Sequence, residues 1–67
     1  MVEITVKFAG KNRKVKAKKD ITAEEALLLA KINPQTVIVK RGKDIIPDNE
    51  RLENGDVIEA LKIVSGG

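Results

Sequence analysis

Ser65-Gly66-Gly67 places two glycines after a β-like run at the end of the sequence, and this is where the chain's chemistry concentrates. Glycine has no side chain and a backbone free to take many conformations. The pair therefore makes a thin strip that ends in one reactive group, the α-carboxylate of Gly67. Such a strip can enter a narrow active site on another protein, where bulkier residues would clash. Chain ends are also commonly frayed, so on the dipeptide alone an inert end is the simpler reading. The rest of the chain decides between the two.

The other side chains offer little chemistry of their own. Ser65 is the only serine, and with no histidine in the chain nothing can activate it in a hydrolytic triad. Glu24 and Glu25 are neighbours on a predicted helix and point about 100° apart, too divergent for a shared acid–base site. Asp44, Asp48, Glu50, Glu53 and Asp56 are the one acidic concentration, and a solvated loop accounts for them better than a metal site. Without cysteine there is no disulfide, thiolate or cysteine–zinc site. Autonomous catalysis is not expected. The chain is expected to be acted on by other proteins, with no cofactor stably bound.

Lys11, Arg13, Lys14, Lys16, Lys18 and Lys19 crowd together, and residues 1–19 hold a single acid, Glu3, in a chain of net charge +3. A nucleic-acid footprint is the sharp interpretation of such a cluster. A base-stacking platform, however, needs aromatic side chains, and Phe8 is the only aromatic. A basic strand carrying Lys14, Lys16 and Lys18 on a sheet edge, where lysines discourage pairing with other chains, is the preferred reading. Nucleic acid stays a secondary one. No apolar run approaches the length of a membrane span, and Glu3 spoils any signal-peptide pattern at the start. A soluble cytoplasmic protein is therefore expected.

The 67 residues are enough for one small domain, and the hydrophobic pattern supplies its elements. Val2 to Phe8 alternates strictly, with Val2, Ile4, Val6 and Phe8 on one face. Ala9-Gly-Lys-Asn12 carries turn chemistry, and Arg13 to Lys18 resumes the alternation with Val15 and Ala17 inward. Thr22 and Glu25 form a T-x-x-E capping box at a helix start. Ala23, Ala26, Leu27 and Ala30 share the apolar face of that helix, with Leu28 and Leu29 at its sides. Asn33-Pro34 is expected to end it. Thr36 to Lys40 is a third strand whose apolar run suits a central position. Arg41-Gly-Lys-Asp44 turns the chain into a short strand at Ile45-Ile46, and Leu52 anchors a polar stretch. Asn54-Gly55 marks a turn before a last strand, Val57 to Val64. One helix covers only one face of such a mixed sheet. On the open face Ile38, Leu61 and Ile63 are predicted to form an apolar patch leading to the tail, provided the register is not shifted by one residue.

In element order and length the sequence resembles the ubiquitin-like β-grasp sulfur carriers of thiamine and molybdopterin synthesis, and the small archaeal ubiquitin-like modifiers. The resemblance spans the whole chain and rests on Thr22-x-x-Glu25, Asn33-Pro34, Ile45-Ile46-Pro47, and Gly55-Asp56 followed by a strand ending in Gly66-Gly67. The chain departs from the molybdopterin branch, whose last strand usually carries a phenylalanine and prolines where this one reads Leu61-Lys-Ile-Val64. It also lacks ubiquitin's arginine before the glycines.

The resemblance implies an α+β, β-grasp fold: a mixed four- to five-stranded sheet curled around one helix over residues 1–64, with 65–67 as a flexible tail. It also implies that an E1-like adenylyltransferase, using ATP and Mg²⁺, activates Gly67, with Gly66 giving access. Sulfur from sulfide or a persulfide-bearing enzyme would then convert Gly67 to a thiocarboxylate for a sulfur-accepting synthase or tRNA thiolation. In this picture Ile38, Leu61 and Ile63 dock the partner. The alternative is conjugation through Gly67 to lysines of target proteins. A third reading is an RNA-binding or interaction module that uses the basic strand.

Overall fold

A computed structural model of the protein describes residues 1–63. The strands are β1 (Val2–Phe8), β2 (Lys11–Ala17), β3 (Val37–Arg41), β4 (Asp44–Ile46) and β5 (Val57–Lys62), with one helix, α1 (Ala23–Leu29), and a 3-10 turn at Pro34–Thr36. They form a five-stranded sheet in the order β2-β1-β5-β3-β4. β1 and β5 run parallel, and the other neighbouring pairs are antiparallel. This is the expected α+β, β-grasp arrangement, with α1 packed on one face of the sheet.

The alternation in β1 is realised as predicted: Ile4 and Val6 are fully buried, and Val2 and Phe8 pack at the margins of the core. The β1–β2 connection is tighter than the turn expected over Ala9–Asn12. Phe8 pairs with Lys11, which leaves only Ala9 and Gly10 between the strands, and both have positive φ, 53° and 77°. Two left-handed residues make the loop whose twist matches that of the flanking strands, so β2 begins at Lys11.

Thr22 caps α1 with the full reciprocal box: its hydroxyl accepts from the Glu25 N–H at 3.3 Å, and the Glu25 carboxylate accepts from the Thr22 N–H at 3.2 Å. The remaining free N–H groups of the first turn are met by a distant loop. Ala23 and Glu24 donate to the carbonyls of Glu50 and Asp48, and Leu52 donates back to Ile21. Arg41 holds that loop in place, reaching the Glu50 carboxylate at 2.8 Å and that of Asp56 at 3.4 Å.

The helix ends before Asn33-Pro34, which corrects the expectation. Lys31 takes a left-handed φ of 63°. Its N–H bonds the Leu28 carbonyl, and the Ile32 N–H bonds that of Leu27. This is a complete Schellman closure, accompanied by buried Ile32 and Leu27. Asn33 instead caps the 3-10 turn through its side chain. Ala23, Ala26, Leu27 and Ala30 all lie in the core with Ile21, Ile58 and Leu52. β3 is an interior strand, but the centre of the sheet belongs to β5. Parallel pairing with β1 requires a crossover, and among the described residues β5 is the strand that closes the sheet between the β1–β2 and β3–β4 hairpins. Of the strand expected over 57–64, β5 takes Val57–Lys62, and Val64 lies outside the described residues.

Candidate functional site

The face of the sheet away from α1 is built by the residues that alternate with the core. Ile4, Val6, Val39, Ile58 and Ala60 point toward the helix and are buried, so Lys7, Ile38, Lys40, Glu59 and Leu61 point the other way. Register then sets which of them are neighbours. Ile38 lies opposite Leu61 across β3 and β5. Glu59 lies between Lys7 of β1 and Lys40 of β3 in a single row across the sheet.

Ile38 and Leu61 are 39% and 40% exposed, and Ile63, two positions beyond Leu61, is 47% exposed. Ile63 follows β5 but is still tied to the sheet, because its N–H donates to the Thr36 carbonyl at 2.9 Å. These three residues are thus brought to one end of the open face, the end from which the chain leaves toward Gly66 and Gly67. Both glycines lie outside the described residues. Beside Leu61, at the β1–β2 turn, is a hollow of about 480 Å³ whose walls include Phe8, Gly10, Glu59 and Lys62. An apolar pair with a hollow next to it, bordered by a row of alternating charge, can receive a protein surface.

Four members of the basic cluster take three different places. Lys14 and Lys16 are exposed on the edge strand β2, opposite Thr5 and Glu3 respectively. Lys18 follows the strand and pairs with Glu25 at 3.6 Å, an exposed contact of small energetic weight. Arg13 leaves the cluster: it shares a register parity with Val15 and Ala17, and its guanidinium donates to the Ala30 carbonyl at the end of α1 at 3.3 Å. No basic residue occupies the last turn of the helix itself, so β2 supplies the cation that favours a helix C-terminus. Composition groups Arg13 with the lysines; alternation sets it on the side of Val15 and Ala17, and the placement of α1 beside that side reveals its role.

Acidic residues 44–56 also disperse. Glu50 and Asp56 are engaged by Arg41, and among the described residues no three potential ligands gather as a metal group. The Glu25 carboxyl is held below its usual value. The chief cause is the Thr22 N–H that donates to it, reinforced by the Thr22 hydroxyl and the Lys18 ammonium against partial desolvation. Its role is structural. The Lys7–Glu59–Lys40 row has no signature in the local sequence. Alternation shows that each residue faces outward, but their alignment needs the strand order. No helix of the described chain is long and apolar enough to cross a membrane.

The model of the ThiS family matches residues 3–67. No curated protein matches the chain. Among solved structures, a ubiquitin of Caldiarchaeum subterraneum superposes with a TM-score of 0.70 at 17% identity, covering 98% of each chain. The thiamine biosynthesis protein ThiS of Geobacter metallireducens superposes with a TM-score of 0.63 at 22% identity, covering 94% of this chain and 99% of the other. A protein designed on the basis of ubiquitin gives a TM-score of 0.70 at 20% identity over 97% of this chain and 92% of its own. These likenesses establish the ubiquitin-type fold.

Proposed function

The chain belongs to the ThiS family of small ubiquitin-fold sulfur carriers, and we propose that its working group is the carboxylate of Gly67. A carboxylate is a poor electrophile, because its charge repels nucleophiles and oxide is a bad leaving group. Activation must replace that oxide. A Gly67 oxygen attacks the α-phosphorus of ATP on an E1-like partner, the bond to the β-phosphate breaks, and pyrophosphate leaves with Mg²⁺ balancing its charge. Hydrosulfide then attacks the acyl-adenylate carbon, AMP departs, and a thiocarboxylate remains. With a persulfide as nucleophile the product is an acyl disulfide, which a thiol cleaves to the thiocarboxylate and a new disulfide. The sulfur passes to a cofactor precursor, in thiamine or molybdopterin synthesis, or to tRNA.

In this scheme Gly66 keeps the strip thin enough to reach the adenylating site, and Ile38, Leu61 and Ile63 hold the partner at the end of the sheet nearest the tail. The observation that carries the proposal is the span of the family match, which runs through Gly66 and Gly67. Intact-mass measurement of the protein isolated from its native cell tests it. A species heavier by the exchange of one oxygen for sulfur is the expected result. A ladder of protein adducts without that species would point to conjugation and overturn the sulfur-carrier assignment.

A further inference from the structure

A second exposed surface lies at the β2 edge, separated from the Ile38–Leu61 pair by β1. Among the described residues β2 has a single neighbour, β1. Because Phe8 and Lys11 close a two-residue loop, they form a hydrogen-bonded pair, and bonded pairs alternate from there along the hairpin. Arg13, Val15 and Ala17 accordingly turn their main-chain groups toward β1. Asn12, Lys14 and Lys16 turn theirs outward, leaving a row of N–H and C=O groups open to another strand.

Between this edge and α1 runs a groove of about 500 Å³, lined by Ala17, Ile21, Leu28 and Leu29, with Lys16 and Lys18 at its rim. Met1 and Glu25 complete the lining, and Glu25 is engaged by Thr22 and Lys18. Leu28 and Leu29 are 56% and 52% exposed, so the helix presents an apolar side that the core does not use. The groove and the open edge lie side by side, one offering apolar contact and the other main-chain pairing.

We propose that this edge takes an extended segment of a partner protein in which apolar and acidic residues alternate, added to β2 as a further strand. Side chains of an added strand alternate between faces. On the helix side they fall over Leu28, Leu29 and Ala17, which calls for valine-, isoleucine- or leucine-like residues. On the other side they fall beside Lys14 and Lys16, which calls for aspartate or glutamate. Main-chain pairing supplies affinity, and the alternating contacts supply selection. The same lysines exclude a second copy of this chain, because β2 against β2 would set ammonium against ammonium. Edge protection and partner choice are thus one device. The site does not depend on Gly67, so it can be occupied whatever the fate of the tail.

The probe is a synthetic octapeptide alternating isoleucine with glutamate, titrated into the isotope-labelled protein, beside a control with lysine in place of glutamate. The expected result is saturable binding of the acidic peptide, with amide shifts centred on Asn12, Lys14, Lys16, Leu28 and Leu29, and no binding of the control. Leu28→Ser and the double change Lys14→Glu/Lys16→Glu should each weaken binding by roughly tenfold, the usual consequence of losing a central contact. Both sites are exposed, and spectra of the free variants verify that they fold. Shifts centred on Ile38 and Leu61, equal binding of the lysine control, or no saturable binding would overturn the proposal. So would a poly-uridine oligonucleotide that binds the lysines while the acidic peptide does not.

Discussion

Ile38 and Leu61 stand opposite each other across β3 and β5, with both side chains on the face away from α1. Their strands bury Val39, Ile58 and Ala60 on the other side, so the outward pair can be altered without touching the core. Leu61→Glu should leave the melting temperature nearly unchanged and weaken binding to the adenylating partner more than tenfold, since truncations at central apolar contacts commonly cost about 2 kcal/mol. Calorimetric titration against that partner, with a thermal melt of the free variant, checks both. Unfolding of the variant would mean that Leu61 carries stability, contrary to its exposure.

Deleting Gly66 and Gly67 takes away no side chain, and the buried core runs from Ile4 to Ala60 among the described residues. The truncated protein should melt like the full chain while pyrophosphate release in the presence of the activating partner disappears. Release that continues at the original rate would place the chemistry elsewhere.

Lys31 sits at φ 63°, where a Cβ crowds the backbone and glycine does not. Lys31→Gly should therefore raise stability by about 0.5–1 kcal/mol, allowing for the greater entropy of glycine in the unfolded chain. In a domain of this size that corresponds to a rise of a few degrees in Tm. Lys31→Val, with a branched Cβ in the same place, should lower it.

The capping box carries a pH signature. Glu25 titrates below its ordinary value of 4.5 because the Thr22 N–H and hydroxyl favour its charged form. The folded carboxyl thus binds protons less readily than the unfolded one. Its contribution is complete above the unfolded pKa and is lost as pH falls through the folded pKa. Urea melts across the acidic range should show less loss of stability for Glu25→Gln than for the wild type. Thr22→Ala should cost about 1 kcal/mol at neutral pH. A Glu25→Gln protein that tracks the wild-type pH dependence would exclude this contribution.

The local pattern alone is enough for several parts of this molecule. Strict alternation from Val2 to Phe8 admits one core face, and Thr22 with Glu25 marks the helix start, because both signals depend on neighbours within a few residues. The inward placement of Ile58 and Ala60, which turns Leu61 outward, is read from the same period. Tertiary structure decided what joins distant segments. The pairings of β5 with β1 and β3 align Lys7, Glu59 and Lys40, and Arg13 of β2 reaches the carbonyl of Ala30 at the end of α1 across seventeen positions of chain. Carbonyls of Asp48 and Glu50 satisfy helix N–H groups more than twenty positions earlier in the chain. Lys31, not Asn33-Pro34, ends the helix, because burying Ile32 against the core outweighs the strain of a left-handed lysine. Hydrogen bonds and burial across such separations exist only once the chain has closed, and no local pattern of residue types encodes them.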